Sequence, residues 1–283
     1  MKRFLLIIAS FGLIASVSAQ DILDGAYKKD IRDGGKDRLE QKYHHVREAD
    51  VMWSTKVWRV IDLREKINQV FYYPVQRIDD RRSLIDVLMD AIYEGTITAY
   101  GNAYKDDEFK SPMTPAEIKE IGVSGNLVDT SWTYDEDREE EVFELIYNTF
   151  DPTTVTRYRV KEEWYFDKQR SVMDVRIIGL CPIRDRYDDD DNFLGPEPLF
   201  WVYFPEARKV LTKAEVFNHR KNNAARLTFD DIFHKRFFNS YIVKESNKYD
   251  RNINQYKTGL DALLESERIK EEIFHLEHDL WEY

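Results

Sequence analysis

The chain has 283 residues, long enough for a sizeable core, with 42 Lys and Arg against 53 Asp and Glu and a net charge of −11. That balance argues against phosphate-backbone binding, which needs clustered cations, so nucleic acid is not an expected partner. One cysteine, Cys181, excludes an intramolecular disulfide, so stability has to come from apolar packing.

Met1-Lys2-Arg3, an apolar run from Phe4 to Ile14 and the small residues Val17-Ser18-Ala19 have the layout of a secretory signal peptide over 1–19. Cleavage is expected between Ala19 and Gln20, and the run is too short for a membrane anchor. With no Cys near that site, direct lipid anchoring is excluded, and the exported chain is expected to be soluble. Residues 20–50 are polar, broken by Asp33-Gly34-Gly35-Lys36, and read as a flexible N-terminal arm. His44-His45 lies in it without a Cys or carboxylate at ligand spacing, so it reads as a solvated pair.

Residues 51–256 read as one α+β domain, an antiparallel β-meander packed with several short helices. Val57–Ile61 reads as a strand, followed by a short helix that Asp62 caps and whose Leu63, Ile67, Val70 and Phe71 share a face. Ser83 with Asp86 opens a second helix, with Leu84, Val87, Leu88, Ala91 and Ile92 as its stripe. Thr114-Pro115-Ala116-Glu117 is a capping box for a third, and Asp135 to Asn148 reads as an acidic-headed fourth.

The meander occupies 155–204. Along Val155–Phe166, Tyr158, Val160, Trp164 and Phe166 share one face; along Val172–Ile183, Met173, Val175, Ile177, Cys181 and Ile183 oppose Asp174 and Arg176. Asp167–Arg170 makes the hairpin, and Asp185–Pro198 is an acidic loop. Leu199–Phe204 is apolar on both faces and reads as a central strand covered on both sides, which makes Trp201 and Tyr203 candidate partner contacts. Thr212–Asn218 reads as a short helix, Arg220–Arg226 as a polar loop, and Thr228 with Asp231 starts a helix carrying Phe229, Ile232, Phe233, Phe237 and Tyr241. Tyr72-Tyr73-Pro74 and Tyr203-Phe204-Pro205 form a faint echo that fits two similar strand–helix lobes. Residues 257–283 form a C-terminal helical extension, with Ile269, Ile273, Leu276 and Leu280 at coiled-coil spacing. They either fold back on the domain or dock on another subunit.

No motif names a reaction. There is no nucleophile elbow, glycine-rich phosphate loop or paired Cys spacing. His275 and His278 are three apart where a metalloprotease pattern needs four, and Asp188–Asp191 lacks the glycine and alternation of a calcium loop. Glu162 and Glu163 are strand neighbours and point to opposite faces. Catalytic, cofactor and metal residues are therefore not assigned. Six Trp, 17 Tyr and 16 Phe are enough for a large core and for partner surfaces besides, with Trp53 and Trp58 as candidate partner contacts.

Four stretches carry a family resemblance: Val57-Trp58-Arg59-Val60-Ile61-Asp62-Leu63-Arg64-Glu65-Lys66-Ile67-Asn68, Arg176-Ile177-Ile178-Gly179-Leu180-Cys181-Pro182-Ile183, Phe200-Trp201-Val202-Tyr203-Phe204-Pro205-Glu206-Ala207-Arg208 and Arg236-Phe237-Phe238-Asn239-Ser240-Tyr241-Ile242. In this order, and followed by Lys244-Glu245-Ser246-Asn247, the chain resembles the gliding motility protein N family (GldN/PorN) of the type IX secretion system of Bacteroidota. The resemblance implies a non-enzymatic scaffold subunit in the periplasm, attached to the outer membrane through partners. Those partners are an outer-membrane lipoprotein, with which it forms a ring, and the periplasmic part of an inner-membrane motor protein. Read from the residues alone, two other functions stay open. One is a periplasmic hydrolase using a carboxylate pair; the other is a cell-wall glycan-binding module using aromatics such as Trp53 and Trp58.

Overall fold

Three long antiparallel strands set the architecture: β1 (Val51–Asp62) lies beside β5 (Val155–Asp167), and β5 beside β6 (Val172–Tyr187). The computed structural model describes residues 39–78, 81–101, 107–122, 128–135, 140–147, 150–187, 192–216 and 227–279. Outside them lie the expected signal peptide with its Ala19–Gln20 cleavage, the arm as far as residue 38, Asp188–Asp191, the loop 220–226 and Leu280. β9 (Tyr241–Glu245) pairs with β1, while β8 (Trp201–Tyr203) and β2 (Ala99–Tyr100) extend the sheet past β6, giving the order β2-β8-β6-β5-β1-β9. β7 (Phe193–Pro198) is the seventh strand and folds back on the end of β6. With the helices α1 (Leu84–Tyr93), α2 (Pro115–Gly122), α3 (Phe204–Leu211), α4 (Phe229–His234) and α5 (Leu260–Asp279), the chain is α+β, as its pattern predicts.

The helix starts follow local chemistry. Asp86 N–H donates to Ser83 Oγ (3.3 Å), and the boxes at Thr114/Glu117 and Thr228/Asp231 each close in both directions. In the hairpin after β5, Asp167 Oδ1 accepts from Gln169 N–H at 2.9 Å, so the turn falls where the sequence placed it.

Alternation along β1 points Val57, Arg59 and Ile61 to the face shared with Tyr158, Val160 and Glu162 of β5. Near one end that face is covered by α1, α3 and α4, where Ile61, Tyr158, Leu180 and Val202 meet Leu88, Phe204, Phe229 and Phe233. Near the other end α5 covers it: Ile269 and Ile273 pack on Val57, Ile242 and Ile253. Burying two such side chains is worth about 3–6 kcal/mol in all. The C-terminal helix thus folds back on its own domain.

β6 departs from the expected alternation. Lys161 pairs with Gly179 but Glu162 with Ile177, so Ile178 is an extra residue, a β-bulge. Met173, Val175 and Ile177 keep the inner face, but Cys181 and Ile183 move to the outer one and Leu180 takes the inner place.

Other expectations are corrected. Asp135–Asn148 is not a helix: β3 (Val128–Asp135) and β4 (Glu140–Tyr147) form an antiparallel hairpin, registered from Val128↔Tyr147 to Asp135↔Glu140. After Asp62, whose Oδ1 accepts from Arg64 N–H (2.9 Å), the chain makes only a single 3-10 turn, Asn68–Phe71, with Val70 and Phe71 buried and Ile67 exposed. The loop expected to run to Pro198 ends in β7, and β8 is a three-residue strand next to the edge strand rather than a central one. Pro205 in the first turn of α3 ends β8 at Tyr203, and Thr212, expected to open a helix, caps the end of α3 instead. The helix after Thr228 ends by Lys235, because Arg236 takes the left-handed region at φ 52°, and Tyr241 opens β9. The two halves of the aromatic-proline echo differ: Pro205 sits inside a helix, whereas Pro74 follows a 3-10 turn.

Candidate functional site

The inner face of β5 carries one charge among its apolar residues. Glu162 is 0% exposed, a position that requires paired and hydrogen-bonded partners. Arg236 supplies two contacts, Nη1 to Oε1 at 2.9 Å and Nη2 to Oε2 at 3.2 Å, and Trp164 Nε1 donates to Oε2 at 3.1 Å. Arg59 Nη1 lies 3.9 Å from Oε2, while its Nε donates to Ser240 Oγ at 3.0 Å. Burial holds the Arg59 guanidinium below its usual range; Glu162 opposes that shift and the neighbouring Arg236 adds to it. The left-handed backbone at Arg236 aims its side chain inward, where it stacks over Trp164 and Phe238, each centroid 5.3 Å away. Between this cluster and α5 runs a cleft of about 610 Å³, with Glu267, Lys270 and Phe274 on its helical wall. The cluster ties β1, β5 and the α4–β9 connection together under α5.

A second charged device holds the chain ahead of β1. Arg208 of α3, 3% exposed, makes two bonds to Asp230 of α4, at 2.7 and 3.1 Å. Its Nη2 also donates to the carbonyl of Gln41 at 2.7 Å, and Arg176 of β6 donates to the carbonyl of His44. The Tyr43 ring lies between the two guanidiniums, 4.2 Å from Arg208 and 5.3 Å from Arg176. Burial raises the Tyr43 hydroxyl above its usual pKa, with Arg208 opposing. His44 contributes its backbone carbonyl here, and both it and His45 are exposed. Among the described residues no group of three His, Cys, Asp or Glu side chains could hold a metal ion.

On the outer face, Trp58 Nε1 donates to Asp107 Oδ2 and Lys161 Nζ to the Asp107 carbonyl, both at 2.8 Å. Phe109, at φ 60°, lies over Gly179, where a Cβ would meet its Cζ at 2.6 Å. Beneath lie Trp58, Cys181 and Trp201 as a small buried cluster. Burial pushes the Cys181 thiol up to about 12, so it stays protonated and unreactive at ordinary pH.

The candidate partner residues divide sharply. Trp58, Trp201, Ile269 and Ile273 are buried inside the chain's own clusters, Trp53 packs partly buried against Val57 and its neighbours, and Leu276 is half-buried. Tyr203 alone among the described ones is exposed, at 39%. The buried carboxylates are engaged structurally: Asp86 with Ser83, Asp167 in its turn, Asp185 with Arg64 and Arg157, Asp230 with Arg208 and Glu162 with Arg236. Glu163 points to the other face from Glu162, as alternation requires.

Reading the sequence left the Glu162 and Arg208 clusters unassigned. One signal was present: Glu162 occupies the gap between Val160 and Trp164 in an otherwise apolar face, and Arg59 the gap between Val57 and Ile61. Nothing local marks Tyr43 or Arg208.

Residues 46–282 match the family described as gliding motility associated protein GldN. The chain belongs to the GldN family. It is therefore a component of the gliding motility machinery. No curated protein matches the chain. The GldN match begins after Tyr43, so the arm contact lies outside it while Arg176, Arg208 and Asp230 lie within. Among the described residues no helix is long and apolar enough to cross a membrane.

Proposed function

We propose that this GldN-family chain is a non-enzymatic scaffold subunit in the periplasm, held at the outer membrane by its partners. It assembles with an outer-membrane lipoprotein into a ring, and the ring contacts the periplasmic part of an inner-membrane motor protein. Membership of the GldN family over residues 46–282 carries this reading. The secretory layout of residues 1–19 supports an exported chain. The engagement of the buried carboxylates in packing supports a scaffold rather than a hydrolase, since each already has a partner. Trp58, buried under Asp107, offers no exposed stacking platform for a glycan.

Tagged chain expressed from its own locus should co-purify with a lipoprotein, and electron microscopy of the eluate should show closed rings. In cells lacking that lipoprotein the chain should aggregate or be degraded. A monodisperse chain at unaltered abundance in those cells would sink the reading.

A further inference from the structure

The buried cluster under α5 sets two guanidiniums, Arg59 and Arg236, against one carboxylate, Glu162. Arg236 engages both carboxylate oxygens, and Trp164 Nε1 donates to Oε2 as well. Arg59 Nη1 is left at 3.9 Å from Oε2, beyond hydrogen-bond reach, and the guanidinium is held only through Nε on Ser240 Oγ. Among the described residues neither Nη of Arg59 has a hydrogen-bond acceptor. Its side chain is 9% exposed, and a guanidinium stays charged, so the cluster keeps a positive charge that is desolvated and loosely paired. Burial weighs on Arg59 more than Glu162 and Glu267 offset.

Arg59 lines the cleft of about 610 Å³ beneath α5. The acids on the helical wall do not supply the missing charge. Glu267 is the one among them that acts on Arg59, and it is 53% exposed and bonded to Lys270 at 3.1 and 3.5 Å. Glu271 is exposed and Glu277 half-buried, and neither is among the charges that shift Arg59. Trp164, Phe238, Ile273 and Phe274 make the walls apolar, with Phe274 61% exposed. Apolar walls around a few fixed polar groups are the usual form of a small-ligand site.

We propose that this cleft binds a monocarboxylate with an aromatic body, its carboxylate on the Nη groups of Arg59 and its ring against Phe274. The planar fork of an arginine matches the two oxygens of a carboxylate. A phosphate monoester carries a charge of about −1.5 to −2 and would exceed a deficit of one. A free aromatic acid and the last residue of a polypeptide both present this chemistry.

The test uses the chain as it purifies from cells, partners included, titrated calorimetrically with N-acetylphenylalanine and with its amide. The acid should bind with a Kd of about 1 mM or tighter, and the amide at least about tenfold more weakly. Arg59→Met should abolish that difference. Glu162→Gln should tighten the acid about threefold or more and leave the amide unchanged, because it removes the competing carboxylate; a purely structural role would not strengthen binding. Phe274→Ala, on the exposed wall, should weaken the acid about threefold and serves where a core variant fails to fold. A peptide that ends in phenylalanine and binds more tightly than the free acid identifies a polypeptide end as the source; equal or weaker binding identifies a free acid. No binding of the acid, equal affinity for acid and amide, an acid preference that survives Arg59→Met, or an affinity untouched by Phe274→Ala would each overturn the site. None of these outcomes bears on the scaffold reading, which stands or falls with the lipoprotein.

Discussion

Glu162→Gln tests whether the buried cluster under α5 holds the domain together. The substitution keeps the shape and an acceptor for Trp164 Nε1 but leaves two guanidiniums without their counter-charge. Removing one partner of a buried ion pair costs about 3–5 kcal/mol, because the remaining charge stays desolvated. Here the Arg236 side chain is 29% exposed and keeps water, whereas that of Arg59 is 9% exposed and bears most of the penalty. The expected loss is therefore at the lower end, about 3 kcal/mol. With a urea slope of about 3 kcal/mol/M, the midpoint should fall by about 1 M in equilibrium unfolding followed by circular dichroism. Arg59→Met added to the Glu162→Gln variant should cost much less than it does in the wild type, giving a coupling above about 1 kcal/mol. A loss below about 1 kcal/mol for Glu162→Gln, the range of exposed pairs, would refute the reasoning.

Other substitutions probe separate parts. Gly179→Ala forces Phe109 away and should cost about 1–3 kcal/mol by overpacking; adding Phe109→Ala should recover part of the loss, measured by thermal unfolding. Cys181 should resist maleimide at pH 8 in the folded chain and react once it is unfolded, as a mass-shift assay would read. Burial, with Glu272 nearby, holds the Glu245 carboxyl above its usual range. A carboxyl that binds its proton more tightly when folded adds stability at low pH and loses it as pH climbs through the raised value. Glu245→Gln should therefore raise the thermal midpoint at about pH 7.5 and change it little below about pH 4. Tyr43→Ala should release the chain ahead of β1 and speed proteolysis there, leaving the domain's unfolding free energy within about 1 kcal/mol of the wild type.

The sequence made some of this legible and hid the rest for physical reasons. β5 and the first half of β6 showed themselves because one face is apolar and the period is two. The starts of α1, α2 and α4 were readable because a cap is a local device of three or four residues. β4 was misread because Val142, Leu145 and Ile146 fall at helical spacing in a Glu-rich stretch, while pairing with β3 decides the outcome. The start of α3 was hidden because Phe204 is as apolar as the strand before it. The Arg208 cluster joins residues 41, 43, 176 and 230, a proximity that only the fold creates.

The extra residue at Ile178 lets a single strand serve two different neighbourhoods. Up to Ile177 the odd-numbered side chains face the helices; from Gly179 onward it is the even-numbered ones, and the odd-numbered Cys181 joins Trp58 and Trp201 on the far side. Pairing Ile178 in a regular ladder would exchange inside for outside along the rest of β6, turning Cys181 into the helix-packed core and Leu180 out of it, whereas deleting it would leave both where they are. A regular strand could not supply both clusters with this order of residues. The irregularity is therefore a part of the fold that homologues with the same two-sided packing should keep, at whatever residue type stands there.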